Sequence, residues 1–321
     1  MKHSHTRFRF RGLRIALYTA AMAALIVSGA SWSTVNVSAN HPVLVEGNCD
    51  SPVPGTTIVS PGTCGDFDGD GRIGTAEDTD GADRIFGTLK AALGPGTGAA
   101  AGTGANNNGR ITIVTSGRFA EVLLIGVTIP ALPDQGSATP GNVTLEAAPG
   151  VSAIIDAVLQ GDPAGGNTAR QNSAGITVNM TSADRVVTLR NLIIRNFLDG
   201  IVTANNSRVN VENCLIENNR DNGIHLIDNG RMVISRSFIT ANGFRIPVSG
   251  ASNPGAGITL QNGARVKIVD STISHNSGPG INNGTTVNIA ANVTLFKVAT
   301  FFNSPDILGP VTIAPNPNHS N

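Results

Sequence analysis

Short runs of alternating apolar and polar residues dominate this chain. Val209-Asn210-Val211-Glu212 and Arg265-Val266-Lys267-Ile268 put every second residue on one face, the period of a half-buried strand. The runs end at Asn-Asn, Asp-Asn-Gly or Ser-Gly-Pro-Gly, which suit tight turns. Abundant Val and Ile beside much Gly, Asn and Thr favours many short strands over long helices. One short helix is expected from Asp83 to Leu93, where Ile85, Phe86, Leu89 and Leu93 share a face.

From Gly175 onward the pattern repeats. Gly-Ile recurs at Gly175, Gly200, Gly223, Gly257 and Gly280, at spacings of 25, 23, 34 and 23 residues. Asn196, Asn219, Asn242 and Asn276 follow at 23, 23 and 34. The same offsets relate Arg185, Arg208, Arg231 and Arg265; Val186, Val209, Met232 and Val266; and Ile193, Ile216, Ile239 and Ile273. The spacing of 34 exceeds 23 by 11, an insertion that the loop from Phe244 to Pro254 accounts for. Several columns sharing one period predict a solenoid, whose coils pair their strands in parallel about 4.8 Å apart. Equivalent residues then stack, Ile inside and Asn at a turn. The Asn column is expected to adopt a left-handed backbone and to bond its stacked neighbour through the amide.

Units such as "VNVENCLIENNRDNGIHL" and "VKIVDSTISHNSGPGI" resemble the right-handed parallel β-helix repeats of the pectate-lyase-like superfamily, over roughly residues 110 to 300. The approach to them, "IFGTLKAAL", "ITIVTSGRFAEVLLIGVTI" and "VTLEAAPGVSAIID", is similar to the opening of many such proteins, where a short helix plugs the apolar end of the first coil. The resemblance implies an all-β, right-handed parallel β-helix solenoid of roughly eight coils with a short N-terminal capping helix. It implies much less about activity, because the superfamily includes lyases, hydrolases, esterases, epimerases and non-catalytic surface proteins.

Charge changes the picture at the N-terminus. The 321 residues carry 22 Lys+Arg against 22 Asp+Glu, and only 14% are charged, which excludes a basic nucleic-acid binder and a charge-driven disordered chain. Lys2, Arg7, Arg9, Arg11 and Arg14 precede an apolar run from Ile15 to Val27 and then small residues. That order reads as a secretory signal over residues 1–39, with cleavage after Ala30 or Ala39 and no membrane attachment afterwards. Its loss removes those five basic residues and no acid, leaving 17 Lys+Arg against 22 Asp+Glu and a formal charge of −5. An extracellular or periplasmic location suits a disulfide between Cys49 and Cys64, which bracket a Pro/Gly-rich loop; such a bond contributes roughly 3 kcal/mol. Cys214, inside a strand pattern, reads as a small core residue.

Asp66-Phe67-Asp68-Gly69-Asp70-Gly71-Arg72-Ile73-Gly74-Thr75-Ala76-Glu77 matches the EF-hand calcium loop. Asp66, Asp68 and Asp70 stand at positions 1, 3 and 5, Gly71 makes the turn, Arg72 offers its carbonyl and Glu77 closes the loop at position 12. Four carboxylates this close repel one another without a cation. Pro52, Pro54 and Pro61 rule out an entering helix, so the calcium reads as structural, holding a cap, rather than as the trigger of a sensor. The expected organisation is residues 1–39 signal peptide, 40–81 Cys-bracketed and calcium loops, 82–314 β-helix domain, and 315–321 disordered tail.

Catalytic patterns are sparse. The only Trp is Trp32, and the motifs of esterase-like and polygalacturonase-like sites are missing apart from Arg265-Val266-Lys267. A β-elimination lyase needs only a cation and a base, for which Arg208, Arg231, Arg265, Lys267, His225 and His275 are candidates. Stacked arginines repel unless acids such as Asp184, Glu212, Asp228 or Asp270, or a bound polyanion, answer them. The near absence of Tyr and Trp makes an acidic glycan a better fit than a neutral one. Two readings follow. One is a secreted, calcium-binding, non-catalytic surface or matrix module that binds acidic polysaccharide through Arg208, Arg231, Arg265 and Lys267; the other is a polysaccharide lyase or related enzyme. The sequence leaves the oligomeric state open.

Overall fold

Parallel strand pairing between successive coils organises the chain. The computed structural model describes residues 43–45, 57–58, 72–73, 84–86, 88–93, 109–127, 141–158, 166–180, 184–244, 255–283 and 293–313, all within the unit His41–Asn321. The first sheet has ten strands. Eight of them follow the winding: Gly109–Ile113, Val143–Ala147, Val186–Arg190, Arg208–Glu212, Arg231–Ser235, Arg265–Val269, Val293–Phe296 and Thr312–Ile313. The second sheet stacks Gly117–Phe119, Ala153–Asp156, Leu192–Arg195, Leu215–Glu217, Phe238–Thr240, Thr272–Ser274 and Ala299–Phe301. The third stacks Leu123–Gly126, Ile176–Met180, Ile201–Asn205, Ile224–Leu226, Ile258–Leu260, Ile281–Asn282 and Ile307–Leu308. Each coil visits the three sheets in turn, so the described strands make seven complete coils and the first strand of an eighth. This is the all-β parallel β-helix solenoid expected from the repeats.

One core runs along the inside. Ile216, Ile239 and Ile273 lie in register and are all fully buried, as the repeat spacing requires. Ile176, Ile201, Ile224, Ile258 and Ile281 form a second buried column, on the third sheet. The glycines preceding them stack as well. A Cβ added to Gly223 would lie 2.7 Å from the Gly257 carbonyl oxygen and 2.8 Å from the Asn242 amide nitrogen, so only glycine lets this turn close over its neighbour.

The period slips by one residue at the coil before Arg208. Inward residues Leu189, Val211, Ile234, Ile268 and Leu295 stack in order, at separations of 22, 23, 34 and 27 residues. Val186, not Arg185, therefore lies beside Arg208, Val187 rather than Val186 beside Val209, and Ile194 rather than Ile193 beside Ile216. The cause is burial: Val187, Leu189 and Ile194 fill the core, and a one-residue shift would turn them to the outside.

The expected Asn column divides into two adjacent positions. The left-handed residues at the corner between the second and third sheets are Asn196, Asn218, Ala241, His275 and Phe302, with φ between 54° and 66°. The ladder lies one residue later. Asn219 Nδ2 donates to Asn242 Oδ1 (2.9 Å), Asn242 to Asn276 (3.0 Å), Asn276 to Asn303 (2.9 Å), and Asn303 to the Asp306 carboxylate (2.9 Å). Phe197, fully buried, occupies the ladder position in place of Asn196, and its N–H donates to Asn219 Oδ1. At this corner the left-handed residue stands outside the ladder, and the amide that reaches the next coil belongs to the residue after it.

A helix, Leu89–Leu93, lies against the first coils, with Leu89, Ala92 and Leu93 fully buried in the shared core. The Glu121 carboxylate accepts the N–H groups of Leu89 (3.0 Å) and Lys90 (2.7 Å); burial raises its pKa above the usual carboxylate range, and those two bonds oppose the rise. The helix is shorter than expected from Asp83. Arg84–Phe86 forms a strand instead, pairing with Val43–Val45, which itself pairs with Gly109–Ile113. Pairing at the sheet edge satisfies backbone groups that a longer helix would have left open. A second short helix spans Gly166–Gln171.

Candidate ligand-binding surface

The outer faces of the early coils carry charge in alternating order. On the first sheet Glu146, Arg190 and Glu212 stack in register, and Arg190 bonds both acids, at 3.1 Å and 2.9 Å. Arg110 adds a contact to Glu146 from its own Nε at 2.6 Å. On the second sheet Asp156, Arg195 and Glu217 repeat the arrangement. Asp156 is fully buried and also accepts from Asn196 Nδ2 (2.7 Å) and the Val158 N–H (2.9 Å). Acid and base in alternate coils answer each other within the protein.

Later coils break that order. Arg208, Arg231 and Arg265 stack in register on the first sheet. Lys267 lies two residues along the last of these strands, pointing to the same side. Among the described residues no carboxylate makes an ion pair with any of the four. Glu212 is engaged by Arg190, and Asp228 accepts from Asn262 (3.0 Å). Arg231, Arg265 and Lys267 are exposed, and the Arg208 Nε is buried without a hydrogen-bond partner. These side chains line an open trough of about 640 Å³ with Asn210, Val233, Thr294 and Thr312. Val233 is 41% exposed, an apolar spot between the cations. Arg185, expected at the head of the column, is not in it.

Elsewhere the candidates have other roles. His225 points outward as expected, but it is half-buried and its Nδ1 faces Asp199 Oδ2 at 3.8 Å. Burial lowers the imidazole pKa, yet the hydrogen bond and charge of Asp199, with Gln261 and Asp221, outweigh it and the net shift is upward. Asp199 was not anticipated, although its 23-residue offset from Asn222, whose N–H and amide both bond it, carries the repeat signal. His275 packs against Phe301 and Phe302, with ring centroids 5.8 and 4.9 Å away. Cys214 is buried, and burial pushes its thiol up to about 11, which suits a core residue and not a nucleophile. It occupies a serine position: its N–H donates to Ser237 Oγ as that of Ser237 donates to Ser271 Oγ.

Asp66, Asp68, Asp70 and Glu77 lie outside the described residues, as do Cys49 and Cys64. Arg72–Ile73 is described and pairs antiparallel with Thr57–Ile58. Among the described residues no group of three His, Cys, Asp or Glu could hold a metal, and no described helix is long and apolar enough to cross a membrane.

Residues 166–295 match the family model for the right handed beta helix region, so the solenoid winds right-handed. Among solved structures, the crystal structure of pectate lyase Pel9A is similar over 80% of this chain and 69% of that chain, with 14% identity and a TM-score of 0.39. No curated protein matches the sequence.

Proposed function

We propose that this is a secreted, calcium-binding β-helix protein, a non-catalytic surface or matrix module that binds acidic polysaccharide in the trough of the first sheet. The column of Arg208, Arg231 and Arg265, which no described carboxylate pairs, carries the reading. Three stacked guanidiniums with Lys267 beside them offer a row of forked donors suited to carboxylates or sulfates on a linear polymer. Val233 supplies apolar surface for a sugar face. The described trough residues include no His, Asp or Glu, so a base for elimination would have to be an arginine or lysine itself.

Binding of a soluble polyuronate, measured by calorimetry, tests this reading. Arg231→Gln with Arg265→Gln should weaken it about tenfold or more, and raised salt should weaken it further. Unchanged affinity in the double variant would remove the trough from the account. The lyase alternative is tested in the same samples: clear formation of unsaturated products, lost on replacing Arg231 or Arg265, would replace the non-catalytic reading.

Calcium in the loop from Asp66 to Glu77 is the second part of the proposal. The loop is bracketed in sequence by Val43–Val45 and Arg84–Phe86, neighbouring strands at one edge of the first sheet, a setting in which an ion would hold the N-terminal cap. Asp66→Ala with Glu77→Ala should abolish calcium uptake and lower the melting temperature to that of the chelated wild type. A variant that still takes up one ion per chain would refute the site.

A further inference from the structure

One outward column of the first sheet changes character along the solenoid. In the early coils it holds Glu146, Arg190 and Glu212, which pair with one another. Continuing in register from Glu212 come Ser235, Val269 and Phe296, with no charge among them. Phe296 points outward: Val293 and Leu295 on its strand are buried, whereas Thr294 and Phe296 alternate with them and are only half-buried. The change from charged to apolar falls where the arginine column opens. Val269 ends the strand that carries Arg265 and Lys267, and Phe296 follows Thr294, which lines the trough. Lys267 is the register partner of Thr294, so Phe296 lies one strand over and two residues, about 6.6 Å, further along. The exposed Lys297 places its Nζ over the Phe296 ring, 5.3 Å from the centroid, and adds a second cation beside it. Cations, a hydroxyl and an aromatic ring therefore share one flank of the trough.

We propose that Phe296, backed by Val269, is the platform for the pyranose ring of an acidic sugar whose carboxylate is taken by Lys267. The inference rests on the acidic-polysaccharide reading of the trough and adds to it an element that recognises the sugar ring. Charge alone does not distinguish a sugar polymer from any other polyanion, because an exposed guanidinium or ammonium answers every carboxylate alike. A uronate differs from other carboxylates in carrying C–H groups on a ring face close to its anionic edge. Those C–H groups pack on the electron-rich face of an aromatic ring. Lys267 and Phe296 present a cation and an aromatic ring on adjacent strands of one face, which matches that pairing of charge and apolar surface within a single sugar. The arginine column then supplies attraction along the polymer, and Phe296 supplies selection for its rings.

Calorimetric titration of the full chain with a polyuronate and with poly-L-glutamate, at one ionic strength, is the test; the second polymer carries carboxylates but no sugar ring. Phe296→Leu keeps an apolar side chain and removes the aromatic ring, and it should weaken polyuronate binding about fivefold while leaving poly-L-glutamate binding within about twofold. Phe296→Tyr, which keeps the ring, should bind polyuronate within about twofold of the wild type. Arg231→Gln should weaken both polymers. Melting followed by circular dichroism checks that each variant is folded at the titration temperature. If Phe296→Leu binds polyuronate as the wild type does while Arg231→Gln binds it less well, the platform is overturned and the trough stands. Equal losses for both polymers in Phe296→Leu would also overturn the platform, since the ring would then act only through the shape of the sheet. A selective loss in Phe296→Leu with Arg231→Gln unchanged would keep the platform and remove the arginine column. A wild type that binds no polyuronate would overturn both readings.

Discussion

The early and late coils solve the same problem in opposite ways. Stacking places residue upon residue at one strand spacing, so any charged column meets its own kind unless the sequence alternates sign. Glu146, Arg190 and Glu212 alternate, as do Asp156, Arg195 and Glu217, and each arginine is held by acids above and below. Arg208, Arg231 and Arg265 do not alternate. The closed columns belong to folding; the open one costs some repulsion and is available to a ligand.

The Asn ladder is a closed column without charge, and breaking it should have the largest effect. Asn242→Ala strands the Asn219 N–H and amide, and it removes donors to the carbonyls of Ile216 and Thr240. Roughly 3–5 kcal/mol of stability should be lost in urea unfolding. A loss below about 1 kcal/mol would mean that the ladder is replaceable by water.

Next comes the charged closed column. Asp156→Ala leaves Arg195, the Asn196 amide and the Val158 N–H short of their acceptor at a fully buried site, and should cost about 2–4 kcal/mol. Arg231→Gln in the open column should leave stability within about 0.5 kcal/mol while weakening polyuronate binding. Equal destabilisation by the two substitutions would erase the distinction between closed and open columns.

His225 is the intermediate case, a half-buried imidazole whose one ion-pair contact is with Asp199. Because its folded pKa is raised, its contribution is fully present below the unfolded value of about 6.5 and is lost as pH climbs through the folded pKa. The melting temperature of the wild type should therefore fall, relative to His225→Gln, as pH rises from about 6.5 through the raised folded pKa. Parallel pH profiles for the two proteins would show that Asp199 contributes nothing through this histidine.

Much of the solenoid was readable because its inner columns repeat in kind: the Gly-Ile pairs and Ile216, Ile239 and Ile273 stack where their spacing places them. The slip at Arg185 was not readable, since Arg185-Val186-Val187 offers two valines and only packing selects which faces the core. Nor was the division of labour at the corner, where Ala241, His275 and Phe302 adopt the backbone that Asn was expected to need. The arginine column was legible from spacing alone, but that no described carboxylate pairs with it was not, because Glu212 and Asp228 lie close in sequence and are claimed by other partners.

Sequence alone therefore determined the strand period, the stacking and the right to expect a β-helix, because each is a local pattern repeated along the chain. Only the folded chain decided register to the residue, which acid answers which base, and which cations remain open. Those depend on competition among neighbours from different coils, and that competition exists only once the coils are stacked.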